Sequence, residues 1–256
     1  MQLFSKTLGQ EGPDLVLLHG WGLHSGVWEA TAAQLAQRFR VTLVDLPGHG
    51  LSPAPIGPYP LTTLAQALAT TAPAQAVWIG WSLGALAAMQ FTLLYPDRVS
   101  QLALITATPR FTQATAWPHA VAAQVLEEFH TALTTDHHTT LRRFLALQLR
   151  GSEGARTTQQ QLEAILFQHG APNVAALGAG LALLRDTDLR DELGNIFCPT
   201  LVVAGERDTL TPPEAQRYLA AQLPQGQLSV IAGAGHAPML SHPAAFMRDL
   251  NAFLPH

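Results

Sequence analysis

The chain has 256 residues, of which 48% are apolar, enough for one large domain with a full core and too many for a disordered polymer. A formal net charge of −4 argues against a general nucleic-acid or membrane-surface binder, and no apolar run approaches the roughly eighteen residues of a membrane span. The single cysteine, Cys198, excludes an intramolecular disulfide and reads as a small buried hydrophobe, because Pro199 and an apolar run follow it. No basic stretch, apolar stretch and cleavage site combine at the N-terminus, so a cytoplasmic location is expected. One lysine, Lys6, stands against thirteen arginines, which reads as compositional bias.

In chain order, residues 1–10 read as an edge strand. Leu15-Val16-Leu17-Leu18 is apolar without alternation, the pattern of a strand buried on both faces of a parallel sheet. His19-Gly20-Trp21-Gly22 follows as a loop, then a helix from about Val27 to Gln37 and a strand from Phe39 to Val44. Asp45-Leu46-Pro47-Gly48-His49-Gly50 is its exit turn. Pro53, Pro55, Pro58 and Pro60 keep the next stretch irregular, each lacking an N–H. An alanine-rich helix over Leu61 to Thr71 precedes the strand Ala76-Val77-Trp78-Ile79, a glycine-flanked turn at 80–84, and then a helix through Ala85-Leu86-Ala87-Ala88-Met89-Gln90-Phe91. Tyr95-Pro96-Asp97-Arg98-Val99 turns the chain into Leu102-Ala103-Leu104-Ile105.

This alternation predicts an α/β fold, a mostly parallel central sheet flanked by helices. From 109 to 190 helical patterns replace strands, predicting an inserted helical cap, with 1–108 and 191–256 forming the core. The sheet pattern resumes at Thr200-Leu201-Val202-Val203-Ala204, followed by a helix near 212–222, a strand Leu228-Ser229-Val230-Ile231 and a last helix from about 243 to 254.

Gly80-Trp81-Ser82-Leu83-Gly84, between a strand and a helix, has the context of a nucleophile elbow. The turn is too tight for ordinary flanking side chains, and it lifts the Ser82 hydroxyl above the sheet edge. A serine needs a base and the base needs an orienting group, both sought at the carboxyl ends of later strands. Asp208 lies in the loop after strand 200–204 and is preferred to Glu206, which sits closer to the strand. His236 lies on the small-residue loop after strand 228–231, whereas His242 reads as a capping or surface residue. The order Ser82, Asp208, His236 is that of a hydrolase triad. The N–H of Leu83 and that of Trp21 are the candidate oxyanion donors, with the Trp21 indole walling the acyl pocket and His19 organising the loop. His137 and His138 are adjacent and share no helix face, and no paired-cysteine or dinucleotide fingerprint occurs, so no metal and no cofactor are expected.

Leu-Leu-His-Gly-Trp-Gly (17–22), Val-Asp-Leu-Pro-Gly-His-Gly (44–50), Gly-Trp-Ser-Leu-Gly (80–84), Gly-Glu-Arg-Asp (205–208) and Gly-His-Ala-Pro (235–238) resemble the α/β-hydrolase superfamily. The pairing of His-Gly-Trp-Gly with Gly-Trp-Ser-Leu-Gly, and the stretch Arg143-Phe144-Leu145-Ala146-Leu147-Gln148, narrow this to the pimeloyl-[acyl-carrier protein] methyl ester esterases of biotin synthesis. That resemblance, from about residue 10 to the C-terminus, implies cleavage of a methyl ester on a carrier-bound pimeloyl chain. It implies an acyl pocket formed by Trp21, Ser82, Leu83, Phe144, Leu145, Ala146, Leu147, Gln148 and His236. Arg142, Arg143, Arg150 and Arg156, with only Glu153 between them, offer a basic docking patch for an acidic carrier protein. Thr139 and Gln160 stand where the family resemblance leads one to expect arginines, and Ala85 where a second glycine is common. A broad short-chain carboxylesterase acting on small esters without carrier docking, and a non-catalytic binding protein of this fold, are the competing readings. No nucleic-acid or membrane partner is expected, and the chain is expected to be a monomer.

Overall fold

The computed structural model describes residues 1–55, 57, 59–169 and 172–255, so Pro58 of the proline-rich stretch lies outside the described residues. The first half runs β1 (Ser5–Leu8), β2 (Asp14–Leu18), α1 (Glu29–Leu35), β3 (Arg40–Val44), α2 (Leu61–Thr71), β4 (Ala76–Trp81), α3 (Leu83–Leu94) and β5 (Val99–Ile105). Four helices follow: α4 (Ala123–Thr135), α5 (His137–Gln148), α6 (Ala155–Leu166) and α7 (Val174–Asp186). The chain closes with β6 (Thr200–Gly205), α8 (Pro213–Gln222), β7 (Gly226–Ile231), α9 (Pro238–Ser241) and α10 (Pro243–Phe253). Among the described residues, no helix is long and apolar enough to cross a membrane.

The strands form one seven-stranded sheet in the order β1-β3-β2-β4-β5-β6-β7, parallel except for the antiparallel edge strand β1. This is the α/β arrangement that the alternating pattern predicts. β4 and β6 are buried along their whole length, which is why they read as unbroken apolar runs. The register pairs Leu18 with Gly80, Trp81 with Ile105, Ile105 with Val203 and Gly205 with Ile231. The carboxyl ends of β2, β4, β5, β6 and β7 therefore finish side by side, and their loops share one edge of the sheet.

Two local readings differ. The helix read from Val27 opens as a 3₁₀ turn over Ser25–Trp28, because His24 Nδ1 accepts from the Gly26 N–H at 3.0 Å and tightens the entry. The short α9 breaks what reads as loop after His236, with Pro238 occupying its first turn.

The loops after β2 and β3 are locked by buried polar groups. The Leu46 N–H donates to His19 Nε2 at 2.9 Å, so the ring proton sits on Nδ1, which donates to the Gly20 carbonyl at 2.8 Å. Asp45 accepts from the N–H groups of Ser25 and Leu51 at 2.8 and 2.9 Å. Burial pushes the His19 imidazole down to about 3, and burial also lowers His49. Their neutral forms belong to the folded state, whereas the unfolded chain takes up protons below about pH 6.5. Stability is therefore complete above about pH 6.5 and falls as the pH drops toward the folded values. At pH 5 the His19 contribution alone is a loss of about 2 kcal/mol. Urea unfolding at pH 7 and pH 5 checks this, and equal stabilities would contradict it.

Candidate active site

Ser82 is the single residue between β4 and α3, with φ 57° and ψ −115°. That conformation costs a non-glycine residue about 1–3 kcal/mol, which the surrounding packing must offset. Gly84 makes the packing possible, since a Cβ there would lie 2.6 Å from the carbonyl oxygens of both Leu18 and His19. Gly80 is likewise pressed against Gly84 and Ala85, so Ala85 itself fits the turn. The Ser82 N–H donates to the Ile105 carbonyl at 3.1 Å, and its carbonyl accepts from Ala85 and Leu86. Its side chain makes no capping bond to α3, so the hydroxyl is not consumed by the helix it begins.

Asp208 and His236 meet. His236 Nδ1 donates to Asp208 Oδ2 at 2.8 Å, and both side chains are fully buried. Asp208 Oδ1 accepts from the N–H groups of Leu210 and Thr211 at 2.9 and 3.0 Å, which fixes the orientation of the carboxylate. Glu206 faces elsewhere, accepting from the Gly233 N–H at 2.9 Å. The His236 loop is held at its carbonyl by Trp81 Nε1 at 2.7 Å and Thr106 Oγ1 at 2.8 Å, and at its N–H by the Gln148 carbonyl at 3.1 Å. The indole of the residue just before Ser82 thus ties the histidine to the elbow. With Nδ1 carrying the proton, Nε2 is left as a lone-pair acceptor, and it has no partner in the protein. His242 stands at the start of α10, with its Nδ1 beside Ser241 Oγ at 2.9 Å and no capping bond to the helix.

The Leu83 N–H belongs to the unsatisfied first turn of α3. Among the described residues, neither it nor the Trp21 N–H has a hydrogen-bond acceptor. Trp21 Nε1 donates to the Leu177 carbonyl of α7 at 2.9 Å, and the Phe144 ring of α5 packs edge-on against the indole at 4.6 Å. Gly180 of α7 admits the indole, as a Cβ there would lie 2.6 Å from Trp21 Cδ1. Ser82 is 2% exposed beneath these groups. Phe144, Leu145 and Gln148 share the buried face of α5 at helical spacing, whereas Ala146 is exposed and Leu147 half-buried. The Gln148 side-chain oxygen is buried without a partner. Arg142, Arg143, Arg150 and Arg156 are all exposed. Arg142 lies over Phe167 at 5.6 Å and Arg143 over Phe129 at 5.9 Å, and Glu153 is paired with Arg207 at 3.0 Å. Among the described residues, no cluster of three or more His, Cys, Asp or Glu side chains could hold a metal ion.

Sequence reasoning passed over Trp81, Thr106 and Thr211 as supports of His236. The only available signal was the Asp-x-x-Thr spacing at 208–211, which places N–H groups on a carboxylate. Asp208→Asn is expected to lower kcat roughly ten-thousand-fold, because an amide favours the wrong imidazole tautomer, while Glu206→Gln stays within about threefold. Steady-state kinetics on p-nitrophenyl butyrate decide between the two acids.

The sequence model of the alpha/beta hydrolase fold matches residues 13–243. A pimeloyl-[acyl-carrier protein] methyl ester esterase from Chromobacterium violaceum is 46% identical over 250 residues, 98% of this chain and 97% of that protein. A protein of the same name from Yersinia enterocolitica is 43% identical, covering 96% of this chain and 94% of that one. Among solved structures, an esterase from Exiguobacterium antarcticum superposes with a TM-score of 0.89 over 98% of this chain and 94% of that one. Its 24% identity bears on the fold alone. Matched by that fold model over residues 13–243 and 43–46% identical to these curated relatives over nearly its whole length, the chain belongs to the alpha/beta hydrolase fold family and, within it, to the pimeloyl-[acyl-carrier protein] methyl ester esterases.

Proposed function

We propose that this protein hydrolyses the methyl ester of a pimeloyl chain carried on acyl-carrier protein, releasing methanol and the free carboxylate used in biotin synthesis. The observation that carries the reading is His236, held by Asp208 at Nδ1 with Nε2 unpartnered, tied through Trp81 to the strained Ser82. Full-length relatives named for this reaction support the substrate.

In the reaction so assigned, Ser82 Oγ attacks the ester carbonyl while its proton passes to His236 Nε2. The oxyanion of the tetrahedral intermediate accepts from the Trp21 and Leu83 N–H groups, each worth roughly 3–4 kcal/mol in such sites. Collapse expels methoxide, which takes the proton from Nε2 and leaves as methanol. Water then attacks the acyl-enzyme with His236 as base, regenerating Ser82 and freeing the acid. The methyl ester end is neutral and suits an apolar enclosure of Trp21, Leu83 and Phe144. The product carboxylate does not, and its desolvation cost favours release.

Residues 109–190 act as the lid in this reading, with Arg142, Arg143, Arg150 and Arg156 as its docking face. Glu153 is engaged by Arg207, so it does not neutralise the four arginines. A local basic face attracts an acidic carrier despite the overall charge of −4. Thr139 and Gln160 are exposed and uncharged, which favours weaker docking and keeps the broad carboxylesterase as the second reading.

Two measurements separate these readings. In a biotin-requiring strain lacking this esterase, the wild-type gene restores growth without biotin and Ser82→Ala does not; failure of soluble wild type overturns the pimeloyl assignment. Changing Arg143 and Arg156 to Glu is expected to raise KM for carrier-linked ester about tenfold or more at low salt, with p-nitrophenyl butyrate within about twofold. Equal kinetics on the carrier-linked ester would remove the docking face.

A further inference from the structure

Thr211 lies three residues beyond Asp208, fully buried, with a side chain that has no part in the reaction described above. Its Oγ1 is 2.6 Å from Asp208 Oδ2, 3.1 Å from the Thr106 carbonyl oxygen and 3.3 Å from His236 Nδ1. Its N–H donates to Asp208 Oδ1 at 3.0 Å, and its carbonyl accepts from Gln216 Nε2 at 2.7 Å. The backbone on either side is thereby pinned, while the hydroxyl proton keeps its freedom to rotate. That one proton faces two acceptors. An O–H···O⁻ separation of 2.6 Å is in the charge-assisted range, so at rest the hydroxyl donates to Asp208 Oδ2.

We infer that the Thr211 hydroxyl is a positioning group that sets how much of the Asp208 charge His236 feels. The inference rests on the Ser82, His236 and Asp208 reading. While it donates to Oδ2, Thr211 offsets part of the carboxylate charge beside the neutral imidazole. Once Nε2 has taken the serine proton and the ring is cationic, the hydroxyl turns its proton to the Thr106 carbonyl. The full charge of Oδ2 is then uncovered, and a Thr211 lone pair faces Nδ1–H. The proton stays on Thr211 throughout, and no heavy atom has to move.

Other ionisable groups near the His236 loop are engaged elsewhere. Glu206 is exposed and holds the Gly233 N–H, while Glu153 and Arg207 are exposed and paired with each other. α3, β5 and α9 contain no ionisable side chain, α5 meets His236 through Gln148, and His242 is paired with Ser241. Asp208, with Thr211 upon it, is thus the charge His236 responds to.

The test is the pH dependence of kcat/KM for p-nitrophenyl butyrate in Thr211→Val, Thr211→Ala and Thr211→Ser. Without the donor, more negative charge sits beside Nδ1, the imidazolium is favoured, and the acidic limb moves to higher pH. The expected displacement is about half to one pH unit, a roughly three- to tenfold lower kcat/KM on that limb, with KM within about twofold. Thr211→Ser keeps the donor and returns the limb to its wild-type position. Thr211→Ala reports the same displacement should the valine variant not fold. Limbs that coincide with wild type in the valine and alanine variants, or a serine variant displaced as far as valine, overturn the inference. Ser82→Ala in the same assay separates the two levels. Turnover that survives it removes the serine-hydrolase reading, whereas an inactive Ser82→Ala beside an undisplaced Thr211→Val removes only the role of Thr211.

Discussion

β4 becomes α3 across one residue, and neither Gly80 nor Gly84 carries a Cβ that would hold the two apart. The helix can therefore press its first turn onto the end of β2, where the carbonyls of Leu18 and His19 lie. That contact holds Ser82 at φ 57° and leaves the Leu83 N–H pointing out of the turn. It also sets the elbow beside the Trp21 loop, because β2 and β4 are neighbours with Leu18 opposite Gly80. A strained serine, and two free N–H groups in the segments that follow two adjacent strands, thus result from one close approach of backbone to backbone.

The histidine depends on a different kind of constraint. His236 sits after the edge-most parallel strand, on a buried loop of small residues. Polar groups hold it: Trp81 and Thr106 at its carbonyl, Gln148 at its N–H, and Asp208 at its ring. Three of these come from the sheet edge and one from α5, so the helices between β5 and β6 take part in holding His236 in place. Ser152 Oγ, which accepts from the Gly235 N–H at 3.0 Å, adds a second tie from the α5–α6 turn.

The central sheet was legible because strands such as β2, β4 and β6 are buried on both faces, and such runs as Leu15 to Leu18 or Thr200 to Ala204 admit few other readings. Helix α2 was legible to its end residues, since the proline stretch before it and Pro73 after it bracket the alanine-rich run. The onset of α1 was not, because its 3₁₀ entry is set by the His24 ring, a side-chain choice invisible to periodicity. In the site, loop position after a strand was enough to pick out Asp208 and His236. Trp81, Thr106 and Thr211 escaped because they act through bonds spanning 25 to 155 residues of sequence. Thr211 beside Pro212 and Pro213 reads as a helix start, and only the fold reveals that its hydroxyl faces the carboxylate. Ala146 shows the reverse limit, since a contiguous motif on a helix cannot put every member on one face.

Trp21 is engaged at both ends. Its main-chain N–H is the oxyanion donor of the proposed reaction, and its indole is bonded to the Leu177 carbonyl on α7, with Gly180 giving the ring room. If α7 moves away from Trp21, that indole bond is lost, and the loop after β2 loses its tie to α7. In the proposed reaction, an acyl chain that enters by drawing α7 back therefore meets a complete oxyanion site only after α7 has returned.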